Sequence, residues 1–113
     1  MRSATASLDA PECRSDHGVS VLPCHVDLTL NQPKADVKTT GPTNGEFSHN
    51  DAACVNKGIA EVNGENRSYV VTAGTVSGIC VATFIEKDSS GKTIGAAKLG
   101  IAFFKRDHCP PTC

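Results

Sequence analysis

Gly78-Ile79-Cys80-Val81-Ala82-Thr83-Phe84-Ile85-Glu86 is the stretch that decides the fold class. Cys80, Ala82 and Phe84 fall on one side of an extended chain, and Ile79, Val81 and Ile85 on the other. A short run that is apolar on both faces reads as a central β-strand. Immediately downstream, Asp88-Ser89-Ser90-Gly91 supplies turn chemistry. The next run, Thr93 to Lys105, puts Leu99, Ile101 and Phe103 on one side and Lys98 and Gly100 on the other, which predicts a half-solvated partner strand. Upstream, Tyr69, Val71 and Ala73 share one face of a strand that runs into a turn at Gly74.

The same period-two rhythm extends through most of the chain, with almost no window of helical period. It predicts strands at Val19 to Leu22, Val26 to Leu30, Ala35 to Thr40, Glu46 to Ser48, Gly58 to Val62, Arg67 to Ala73, Gly78 to Glu86 and Thr93 to Lys105. Asn63-Gly64 reads as a type I′ hairpin turn, since both residues tolerate positive φ. Seven to eight short antiparallel strands at this spacing make a two-sheet sandwich or a small barrel. The domain expectation is a sandwich over 19–106, preceded by an N-terminal segment, 1–18, tied down by Cys13, and followed by a cysteine-containing tail, 107–113.

Composition narrows the function classes. The 113 residues suffice for one domain, but an aromatic share of 4% with no Trp makes a thin core. Six cysteines in so short a chain point to cross-links formed in an oxidising compartment. A net charge of -1, with Lys and Arg scattered, excludes a phosphate-binding field and argues against nucleic acid as a partner. Nothing approaches the roughly 20 apolar residues of a membrane helix, so membrane insertion is not expected. Met1 to Ala10 lacks the apolar centre of a secretion signal. The chain therefore reads as a mature segment, with Met1-Arg2-Ser3 either a cloning remnant or a native start.

The order of motifs carries a resemblance. Gly58-Ile59-Ala60-Glu61-Val62, Tyr69-Val70-Val71-Thr72-Ala73-Gly74-Thr75 and Ser77-Gly78-Ile79-Cys80-Val81-Ala82-Thr83-Phe84 are similar to segments of the bacterial immunoglobulin-like (Big-type) domains of exported and surface proteins. Leu22-Pro23-Cys24-His25-Val26-Asp27-Leu28-Thr29-Leu30 resembles their opening strand, and Lys87-Asp88-Ser89-Ser90-Gly91 their last hairpin. The resemblance spans about residues 19 to 104. It implies an immunoglobulin-like β-sandwich stabilised by disulfide, a secreted or cell-surface location, and work as a spacer, adhesin or accessory domain. Extra cysteines and the lack of tandem copies depart from that pattern.

The resemblance also implies that Cys54 bridges Cys80, a cross-link across 26 positions worth roughly 3.5 kcal/mol on the chain-entropy model. Cys13, Cys24, Cys109 and Cys113 allow three connectivities. Cys13 to Cys113 with Cys24 to Cys109 ties the two terminal segments together and is the preferred set, with the local pairs Cys13 to Cys24 and Cys109 to Cys113 as the rival. Structural zinc on Cys13, His17, Cys24, His25, His108, Cys109 and Cys113 is the competing use of these residues. Their spacing lacks the close Cys-x-x-Cys pairs of a finger. His17, His25, His49 and His108 then read as surface residues.

No catalytic residues and no cofactor are expected, because the sequence holds neither a nucleophile elbow, a zincin motif nor a phosphate-cradling glycine loop. A binding loop is expected at Gly41 to Asp51, with Thr43, Asn44, Glu46, Phe47, His49, Asn50 and Asp51 as its candidate contacts; a plain connection between sheets is the bland alternative. Calcium through Asn50, Asp51 or Asp88 lacks a dense oxygen-ligand run. Asn66-Arg67-Ser68 fits an N-glycosylation sequon. The resulting expectation is a non-catalytic extracellular structural or interaction module that binds a protein or cell-surface partner, with room for neighbouring domains in a parent chain. The alternative is a small secreted effector or inhibitor that presents one loop.

Overall fold

The computed structural model describes residues 17–43, 45–65 and 67–105. Eight strands and one helical turn follow in the order β1 (Ser20–Leu22), β2 (His25–Thr29), β3 (Lys34–Thr40), β4 (Glu46–Asn50), α1 (Ala52–Asn56), β5 (Ala60–Glu65), β6 (Ser68–Ala73), β7 (Gly78–Lys87) and β8 (Thr93–Phe104). They form two four-stranded sheets, β1-β3-β6-β5 and β2-β8-β7-β4. With the N-terminal strand divided between the sheets, this is the strand order of an immunoglobulin-type sandwich. Each strand turns alternate side chains inward. Val37 and Thr39, Tyr69 and Val71, Phe84 and Glu86, and Leu99, Ile101 and Phe103 meet between the layers.

Three aromatic rings concentrate the packing in one half of this interior. Tyr69 and Phe84 lie edge to face with centroids 4.8 Å apart, and the His49 ring stands 5.3 Å from Tyr69. Such a pair adds about 0.5–1.5 kcal/mol beyond the area it buries. Elsewhere, the Cys54–Cys80 disulfide, with Cα atoms 5.3 Å apart, fastens α1 to the central strand β7. Both sulfurs are buried.

The structure departs from the expected strands in four ways. First, one pairing is parallel: β2 runs alongside β8, from His25 opposite Gly100 to Thr29 opposite Phe104. The chain leaves β1 after Leu22, passes through a cis Leu22–Pro23 bond and Cys24, and joins the second sheet. Second, Asn63 and Gly64 are not the turn. They pair with Val70 and Tyr69 inside β5, and the hairpin closes after Glu65, with Arg67 at φ 72°. Third, α1 stands where no helix is expected. Its backbone turn is closed by Cys54 and Val55 amides donating to the Asp51 carbonyl, and Gly58 ends it at φ 75°. Fourth, β7 is central, yet its second apolar face meets solvent: Ile79 is 64% exposed.

Candidate functional site

At one end of the sandwich the 41–45 connection, the start of β4 and the β7–β8 hairpin converge. The inward parity of β7 carries Cys80, Ala82 and Phe84 into the core and then places Glu86 at the last inward position, 0% exposed. A carboxylate there has to be hydrogen-bonded. Its Oε2 accepts from the Thr43 hydroxyl at 2.5 Å, the Gly45 amide at 3.1 Å and the Arg67 guanidinium at 3.3 Å. The same Arg67 nitrogen donates to the Thr43 carbonyl at 2.7 Å and the Gly45 carbonyl at 3.0 Å. The guanidinium also lies over the Phe47 ring, 4.8 Å from its centroid.

Glu86 Oε1 has no hydrogen-bond partner among the described residues and faces Gly41, where a Cβ would collide with the carboxylate. A Cβ at Gly45 would strike the Lys87 carbonyl. Gly41 and Gly45 thus let the connection lie directly on the buried acid. Outside this anchor, Thr43, Gly45, Glu46, Lys87, Asp88, Ser89 and Gly91 line an open cavity of about 640 Å³. Its size is that of a small-ligand or side-chain pocket; its lining mixes charged and hydroxyl side chains with apolar stems and backbone and has no aromatic ring. Asp88 organises the hairpin beside it. Asp88 Oδ1 accepts from the Ser90 hydroxyl, the Ser90 amide and the Lys92 amide. The Ser90 hydroxyl first, and then the Lys92 amide, hold the Asp88 carboxyl below its ordinary value.

The candidate contacts of the expected binding loop divide into two groups. Thr43 and Glu46 sit at the cavity. Asn44 lies outside the described residues, as does Asn66 of the sequon. Phe47 is half-buried under Arg67. His49 is no surface residue: it is half-buried, packed against Tyr69 and Phe84, and its Nε2–H donates to the Val62 carbonyl at 2.9 Å. Asp51 Oδ2 accepts the Val62 amide at 2.6 Å. Together they satisfy both backbone groups of Val62 on the free edge of β5, which protects that edge and sews the two sheets along one side. Asn50 Oδ1 accepts the Ala52 amide. The 47–51 half of the loop therefore holds the structure together.

The oxygen atoms considered for calcium are spread over these separate tasks, and among the described residues no three His, Cys, Asp or Glu side chains form a metal-binding group. Cys24 is disulfide-bonded, which removes it as a thiolate ligand, and its partner lies beyond the described residues. The pairings proposed for Cys13, Cys109 and Cys113 also lie outside them. His25 donates to Asp27 at 2.9 Å on the surface of β2. No helix among the described residues is long and apolar enough to cross a membrane.

Glu86, Arg67, Lys87 and the hairpin residues were not among the expected contacts. Glu86 had a signal: it continues the inward series 80, 82, 84, and an acid at an inward position demands a partner. Arg67 had none, because its role depends on a hairpin closing three positions later than the Asn-Gly signal. No protein-family model matches this chain, and comparison with curated proteins finds no match.

Proposed function

We propose that the chain is a non-catalytic extracellular interaction module, whose sandwich presents Thr43, Gly45, Glu46 and the 87–91 hairpin as a surface for a protein or cell-surface partner. The anchoring of Thr43 and Gly45 on the buried Glu86 carboxylate carries the reading. Thr43 and Gly45, held by the buried acid, are already in place before binding, so less conformational entropy is lost there on association. The Cys54–Cys80 bridge is compatible with an oxidising location. Export as a spacer, adhesin or accessory domain is supported by the likeness of the strand motifs to bacterial immunoglobulin-like domains. The charges of Glu46, Lys87 and Asp88 at the rim suit the polar surface of a protein partner.

Fluorescently labelled protein applied to intact cells of its source tests this reading. Saturable binding is expected. It should weaken at least tenfold when Glu46→Arg and Ser89→Arg fill the pole, and stay unchanged when Lys34→Glu alters the other end of the opposite sheet. No saturable binding, or equal binding by the pole variant, would refute it.

A further inference from the structure

The two sheets differ on their solvent faces. Outward positions of β3 are Lys34, Asp36, Lys38 and Thr40, an ordinary wet surface. The central strands of the other sheet turn out Ile79, Val81, Thr83 and Ile85 from β7 and Ala96, Lys98, Gly100, Ala102 and Phe104 from β8, with Ala102 covered by its neighbours. Ile79 is 64% exposed, Phe104 50% and Val81 46%. Between Ile79 and Ile85, and from Ala96 to Phe104, Lys98 is the single outward charge. Thr83 and Lys98 stand opposite each other and divide this face, leaving Ile79, Val81, Ala102 and Phe104 as its larger apolar part; exposed apolar groups clustered in this way mark a contact surface.

The face is complementary to itself. Val81 and His25 both stand level with Gly100, while Asp27 stands level with Ala102. A two-fold axis between two facing copies, perpendicular to the strands at Gly100, reverses the order along β8. Phe104 of one copy then covers Ala96 of the other, and Val81 meets its own counterpart. Lys98 comes over Ala102, next to Asp27, so the lone cation finds an anion. β7 and β8, with ten and twelve residues, and β2 and β4, with five each, lie about 4.8 Å apart and together cover roughly 500 Å². Two copies together would bury about 1,000 Å², the size of a weak, transient contact, so association is expected only at high concentration.

We propose that the outer face of β7 and β8 is a homodimer interface, closed by a second copy of this chain through Ile79, Val81 and Phe104. It leaves the Glu86 pole open and does not rest on the role given to that pole.

Sedimentation velocity on the intact chain, from about 1 μM to about 1 mM to bracket weak association, tests it. The mass is expected to double toward the upper end. Ile79→Lys, at an exposed position, should remain monomeric throughout with an unchanged circular-dichroism spectrum. Lys98→Asp and Asp27→Lys should each be monomeric alone and associate when mixed, because each supplies the charge the other lost. A chain that stays monomeric, as it would if residues 106–113 or a different protein covered the face, overturns the proposal. So does a dimer that Ile79→Lys leaves intact, or a charge-swapped mixture that fails to associate.

Discussion

Arg67→Ala is the perturbation that most directly examines the Glu86 anchor. The change removes the guanidinium that contacts Glu86 at 3.3 Å and the Thr43 and Gly45 carbonyls at 2.7 and 3.0 Å. It leaves Glu86 fully buried, held only by the neutral Thr43 and Gly45 donors. Deleting one partner of a wholly buried pair costs about 3–5 kcal/mol. Arg67 is 30% exposed and touches the acid through one nitrogen, so water screens part of the interaction. The expected loss is therefore about 2–3 kcal/mol, a fall in Tm of about 8–12 °C for a domain of this size.

The backbone supplies an internal control. Arg67 sits at φ 72°, where a side chain costs roughly 1–2 kcal/mol relative to glycine. Arg67→Gly should thus be about 1 kcal/mol more stable than Arg67→Ala, although both lose the same contacts. Arg67→Ala with Glu86→Leu should likewise recover stability over Arg67→Ala, since no buried carboxylate is left behind. Urea unfolding with the disulfides intact measures all three. An Arg67→Ala protein within about 0.5 kcal/mol of the parent, the range of an ordinary surface change, would refute the anchor.

Replacing Cys54 and Cys80 together by Ala should lower stability by about 3–4 kcal/mol in urea, with loop entropy the dominant contribution. Asp51→Ala strips the acceptor from the Val62 amide and should cost about 1–2 kcal/mol, with faster hydrogen exchange at Val62, whereas Asp51→Asn keeps most of both. Tyr69 is the single tyrosine, so absorbance at 295 nm reports it alone. Burial pushes its hydroxyl above the ordinary value of 10.0, and the Arg67 charge offsets part of that. Stability from this group is present below pH 10 and is lost as pH rises above 10 through the higher folded value, because the unfolded chain ionises first. Tyrosinate should accordingly appear above pH 10 and alongside unfolding; a midpoint at 10 in a chain still folded would contradict the burial.

The strands were legible because their inward positions alternate in the sequence itself. Cys80, Ala82 and Phe84, or Leu99, Ile101 and Phe103, need no partner to be recognised. Features set by tertiary contact were not legible in the same way. The α1 turn buries only Cys54, so it shows no apolar period, and its Asp51, Ala52, Ala53 and Gly58 signals are easily read as loop. Asn63-Gly64 carries the stronger hairpin signature, yet Gly64 serves as a close-approach point where a Cβ would meet the Ser68 carbonyl. The register of β5 against β6 outweighs local turn preference there. Polarity alone places His49 on the surface and cannot show that its ring packs against Tyr69 and Phe84 while it donates to Val62. Of the binding loop, only the part that touches Glu86 and the hairpin stands at the candidate site. Ile79 and Val81 misled in the opposite direction, since apolar residues on two faces imply double burial only when both faces are covered.

Parallel pairing of β2 with β8 bears on how the domain carries mechanical load. Tension between the start of β2 and the end of β8 draws these strands past one another. The five paired levels from His25–Gly100 to Thr29–Phe104 then resist together in shear, whereas a hairpin pulled at its open end peels one rung at a time. Lifetime under such stretching is governed by the unfolding barrier and not by equilibrium stability, so a domain of modest core can still serve as a durable link.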